Sequence, residues 1–117
     1  MNPRILVPLF HIAFVVPLFL FVAYQRAATP APMYWIFLIL AAIIFIYHAY
    51  KAVMRLQEGS PYAWVNVFHV VVVAPLLAYI GLRERATPRA AYEILTILAF
   101  GTLGYHISNA VAYTALR

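Results

Sequence analysis

Val7-Pro8-Leu9-Phe10-His11-Ile12-Ala13-Phe14-Val15-Val16-Pro17-Leu18 is an apolar run interrupted by one histidine. Its framework returns without a gap 58 positions later, as Val65-Asn66-Val67-Phe68-His69-Val70-Val71-Val72-Val73-Ala74-Pro75-Leu76. The same offset lays Ala28-Thr29-Pro30 over Ala86-Thr87-Pro88, Tyr34 over Tyr92, Tyr47-His48 over Tyr105-His106 and Ala52-Val53 over Ala110-Val111. Apolar helices match by chance, so the valines and leucines carry little weight. Prolines, a loop triplet and all four histidines falling on one offset point to duplication. The chain reads as a single transmembrane domain, 1–117, made of a first two-helix repeat, 1–58, and a second, 59–117.

Working outward, the composition is 67% hydrophobic and 9% charged, where soluble domains carry roughly a quarter charged residues. Four apolar runs stand out: Ile5 to Tyr24, Met33 to Met54, Tyr62 to Leu82 and Ala91 to Leu116. A helix rising about 1.5 Å per residue needs about 20 residues to cross a hydrocarbon core of about 30 Å, and each run meets that length. Thr29-Pro30-Ala31-Pro32, the stretch Arg55 to Pro61, Arg83-Glu84-Arg85 and Thr87-Pro88-Arg89 punctuate them with helix breakers and charge. The expected fold is therefore an all-α integral membrane four-helix bundle, built from two tandem parallel-repeat hairpins with pseudo-twofold symmetry about the membrane normal. Four spans place both termini on one side of the membrane. The first run has the outline of a signal peptide, but it is longer than a signal core and has a matching partner later in the chain.

Charge does not set the orientation. Arg4, Lys51, Arg55 and Arg117 fall on the side of the termini, and Arg26, Arg83, Arg85 and Arg89 on the other, a tie under the positive-inside rule. The net charge of +5 sits at helix ends, which suits interface anchoring, and no clustered basic surface suggests nucleic acid. The lipid bilayer is the expected partner. A homo-oligomer is expected if lipid-facing Phe14, Phe19, Phe21 and Phe37 form a contact surface. With no cysteine, disulfides, thiolate metal sites and cysteine nucleophiles are excluded.

The histidines lie at matched depth. His11 is seven residues past Arg4, His48 seven before Arg55, His69 seven past Tyr62 and His106 seven before Tyr113. Seven residues of helix put each imidazole about 10 Å inside its helix end. Lys51 and Arg55 follow His48 at i+3 and i+7, Asn66 precedes His69 at i−3, and Asn109 follows His106 at i+3, adding polarity to the same faces. Because polar groups in a membrane turn toward the protein interior or a wet cavity, a histidine-lined pocket open toward the termini is expected. Pro17 and Pro75, six residues deeper, should bend their helices and widen that pocket. Gly101, Gly104 and Ser108 form a small-residue stripe suited to close helix packing, or to a flat ligand.

Such a pocket suits a cofactor. Two imidazoles at one depth on different helices can ligate a b-type haem for electron transfer, with Lys51 or Arg55 near the propionates. Four neutral imidazoles also suit one transition metal. The site residues are then His11, His48, His69 and His106, flanked by Lys51, Arg55, Asn66 and Asn109. Two alternatives belong to other classes: a structural or assembly protein whose histidines only join helices, and a small pH-sensitive channel or carrier. An intramembrane hydrolase is not expected, because no serine, histidine and carboxylate reach one depth.

Val-Pro-Leu-Phe-His-Ile at 7–12, Tyr-His-Ala-Tyr-Lys-Ala at 47–52 and Gly-Tyr-His-Ile at 104–107 resemble segments of small uncharacterised multi-span membrane proteins of large DNA viruses of algae and protists. The resemblance covers the histidine segments only. It implies a viral or virus-modified host membrane and assigns no chemistry.

Overall fold

A computed structural model describes residues 2–115. Leu116, the expected end of the fourth run, and Arg117, counted among the charges beside the termini, lie outside the described residues. Among the described residues the chain is all-α, with four long helices and no strand. These are α1 (Pro3–Ala28), α2 (Ala31–Gln57), α3 (Ala63–Ala86) and α4 (Arg89–Ala115), each long and apolar enough to cross a membrane. They run past the apolar stretches into the segments expected to be loops. Pro32 does not delay α2, because it sits in the first helical turn, where a missing N–H leaves no helical bond unmade.

Local chemistry sets the helix ends. Asn2 caps α1, its side-chain oxygen accepting from the Arg4 N–H at 2.9 Å. After α2, Gly59 adopts φ +68°, which lets the Ser60 N–H reach the Arg55 carbonyl at 2.9 Å and the Gly59 N–H reach that of Leu56 at 3.2 Å. That is a Schellman closure, and it needs a residue tolerant of positive φ. The other two turns repeat one another in backbone geometry. Arg26 has φ 51°, ψ −124°, and Glu84, its equivalent at the 58-residue offset, has φ 52°, ψ −126°. Neither is glycine, the residue that this region favours.

The prolines reshape α1 and α3 identically. The stretches His11–Val15 and His69–Val73 are π-helical. The Val16 N–H bonds the His11 carbonyl, and the Ala74 N–H bonds that of His69, each five residues back. Pro17 and Pro75 follow immediately, lacking an N–H and crowding the preceding turn, and the wider turn accommodates them. A π turn that begins at each histidine thus stands where a bend was expected.

The chain divides into two compact units: Met1–Arg26 with Pro88–Arg117, and Ala27–Thr87. In the first, α1 packs on α4; in the second, α2 packs on α3. Each unit therefore takes one helix from each sequence repeat. The first buries Val16, Phe19, Val22 and Ala23 of α1, and Tyr92, Leu95, Leu98 and Ala99 of α4. The second buries Tyr34, Phe37 and Ala41 of α2, and Ala74, Leu77, Ile80 and Gly81 of α3. Most of these positions correspond at the repeat offset. Phe19 and Leu95 of one unit become Leu77 and Phe37 of the other, so each core holds one phenylalanine and one leucine at these two places. Phe19 and Phe37 are 2% and 0% exposed, which corrects their expected lipid-facing placement; Phe14 and Phe21 are exposed.

The small-residue stripe is also not where helices meet. A Cβ at Gly101 or Gly104 would find nothing within 4 Å, and Ser108 is exposed. The close approach belongs to Gly81. A Cβ there would lie 2.7 Å from Leu38 Cγ and 3.0 Å from the Tyr34 carbonyl.

Candidate functional site

In the α2–α3 unit, His48 and His69 come from facing helices and stack, with ring centroids 3.9 Å apart and planes inclined by 12°. Antiparallel packing brings together a residue near the end of α2 and one near the start of α3. Each ring also receives an aromatic edge from its preceding residue, Tyr47 at 5.0 Å and Phe68 at 6.3 Å. The repeated Tyr-His and Phe-His pairs are thus ring contacts as well as sequence markers.

Hydrogen bonds orient both rings. His69 Nδ1 lies 2.6 Å from the Val65 carbonyl. A carbonyl only accepts, so this nitrogen carries the proton, and Nε2 of the neutral ring carries the lone pair. On the other side Arg55 Nη1 donates to Asn66 Oδ1 at 2.8 Å, and Asn66 Nδ2 lies 2.9 Å from His48 Nδ1. Asn66 is 2% exposed, so this chain of bonds is shielded from solvent at its centre. The sequence places Asn66 beside His69 on one helix. The structure shows it reaching across to His48.

The α1–α4 unit repeats the stack with different surroundings. His11 and His106 lie with centroids 4.0 Å apart and planes at 17°, edged by Phe10 at 5.5 Å and Tyr105 at 5.2 Å. His11 Nδ1 lies 2.8 Å from the Val7 carbonyl, the counterpart of the Val65 bond. Tyr113 and Pro8 occupy the positions equivalent to Arg55 and Asn66. His106 is 8% exposed, the most buried of the four.

Within each unit, then, the histidines pair across the repeats: His11 with His106, and His48 with His69. Lys51 and Asn109 are half-buried, and no hydrogen bond among the described residues joins either to a histidine. No group of three or more histidine, cysteine, aspartate or glutamate side chains among the described residues converges on a point that could hold a metal ion. Each pair can present imidazole nitrogens, exchange protons and hold two helices in register. The π turns and the carbonyl partners of His11 and His69 were missed in the sequence, although Val7, Val65, Pro17 and Pro75 recurring at one offset were their signal.

No protein family matches the chain, and neither a curated protein nor a solved structure is similar to it.

Proposed function

We propose that this chain is a multi-pass membrane protein, with both termini on one side, that works as a small pH-sensitive carrier or channel through its two histidine pairs. The observation that carries this reading is the face-to-face contact of imidazoles from facing helices, made twice at 3.9 and 4.0 Å. Neutral rings stack at this distance without penalty. Two imidazolium charges 4 Å apart repel by about 4 kcal/mol at an effective dielectric constant of 20, whereas interhelical polar contacts in membranes contribute about 1 kcal/mol. Each charge makes the second harder to add, so a pair takes its first proton readily and parts its helices only when the second is driven on. Other charged or titratable side chains sit on the same stretches of these helices. Tyr47, Lys51 and Arg55 lie on α2 and Tyr62 on α3; Tyr105 and Tyr113 lie on α4, and Arg4 lies on α1.

The test is a distance measurement between spin labels at Val53 on α2 and Val67 on α3, both exposed, in liposomes taken from pH 7.5 to 5. Acid should lengthen the distance in the native chain and leave it unchanged in His69→Phe, which keeps a ring and loses the charge. Proton flux into the same liposomes should follow the opening. An unchanged native distance overturns the proposal.

One observation favours a second reading, a b-type haem or a transition metal ligated within a unit, by His11 with His106 or by His48 with His69. The Nδ1–H bonds of His11 and His69 to backbone carbonyls are the kind of partner that orients a ligating imidazole and leaves Nε2 for the metal. Rings 4 Å apart leave no slot for a porphyrin between them, so a cofactor would have to part each stack. An absorption spectrum and a metal assay of purified protein decide this reading: a Soret band lost in His48→Ala or His106→Ala supports it, and a colourless, metal-free, folded preparation overturns it.

A further inference from the structure

We infer that Asn66 is a positioning residue that fixes the proton of His48 on Nε2, so that the two stacked imidazoles of the α2–α3 unit are opposite tautomers. This rests on the proton-responsive reading of the pair and names the residues that set its resting state. The inference follows from which groups can only donate. Arginine has no acceptor, so the atom of Asn66 facing Arg55 Nη1 at 2.8 Å is the amide oxygen. That leaves the amide nitrogen toward His48 Nδ1 at 2.9 Å, and an amide nitrogen has no lone pair to offer. His48 Nδ1 must accept, and the proton of the neutral ring sits on Nε2.

His69 is fixed the other way. Its Nδ1 faces the Val65 carbonyl at 2.6 Å, so Nδ1 holds the proton and Nε2 the lone pair. Of the nitrogens not tied down by these bonds, the pair has one that donates and one that accepts. Adding a proton to His48 Nδ1 requires Asn66 to let go. The α1–α4 unit has the Val7 bond to His11 but Pro8 and Tyr113 where Asn66 and Arg55 would be. The two stacks thus differ in that Asn66 and Arg55 reach the second ring of the α2–α3 pair.

Histidine tautomers are read directly by nitrogen NMR of the full chain, labelled with 15N-histidine, in bilayers at pH 8. Native protein should show His48 protonated on Nε2, and His69 and His11 on Nδ1. In Asn66→Asp the new carboxylate accepts from His48, and the His48 proton should move to Nδ1, with His69 unchanged. Arg55→Met, which frees the amide to rotate, should give His48 as a mixture of tautomers; this second variant serves if the aspartate disturbs folding. A native His48 protonated on Nδ1, or a His48 signal unmoved in both folded variants, overturns the assignment. Native tautomers as stated, with no acid-driven change in helix distance, uphold the role of Asn66 and overturn the proton-responsive reading.

Discussion

At Arg26 and Glu84 two different side chains hold one unusual backbone conformation, φ near +50° and ψ near −125°. The side chains differ and the turn does not, so the 58-residue repeat is kept in backbone geometry as well as in residue identity. Glycine adopts this region without steric penalty, and non-glycine residues there cost about 1–3 kcal/mol. Arg26→Gly and Glu84→Gly should each raise stability by about 1 kcal/mol in reversible unfolding from detergent micelles. The histidines follow a different accounting. His69→Ala removes a ring contact and a local bond to Val65, and about 1 kcal/mol should be lost in the same assay. Their types and spacing were legible in the sequence, because a duplicated Phe-His or Tyr-His pair is conspicuous in an apolar run. Their tautomers were not, since these depend on Asn66 meeting His48 across a helix contact.

At the scale of helices, glycines of one composition play opposite parts. Gly81 lies under Leu38 and the Tyr34 carbonyl, while Gly101 and Gly104 face open space. Gly81→Ala should therefore destabilise the α2–α3 pair by about 1–3 kcal/mol through overpacking. Gly101→Ala should be neutral or stabilise by up to about 1 kcal/mol, as helix propensity alone would have it. Thermal unfolding of the two variants side by side checks both. The sequence drew attention to the stripe at 101, 104 and 108 because small residues at helical spacing suggest packing. It gave no reason to single out Gly81, whose equivalent is Ala23, because crowding is a property of the facing helix. Pro75 belongs to this scale as well. Pro75→Ala restores an N–H and removes the ring clash, so the π turn at His69–Val73 should relax toward regular α-helix and turn the His69 ring away from His48, observable as a changed His69 environment in the same NMR spectrum.

For the whole chain, the even number of apolar runs makes a simple prediction. Reporter tags at the N and C termini should be accessible from the same face of sealed vesicles, and protease protection of one tag but not the other would contradict it. Four long apolar helices and the all-α class were readable from the sequence because they rest on local quantities, run length and the helix breakers between runs; the repeat rests on residue identity at a fixed offset. Pairing is not local. Two copies of one hairpin carry two nearly identical sets of faces, so a first-span helix suits the second-span helix of either copy, and composition alone does not choose between them. The tertiary structure puts α1 with α4 and α2 with α3, and with that choice it decides which histidines touch, which phenylalanines are buried, and that Arg55 and Asn66 act on His48.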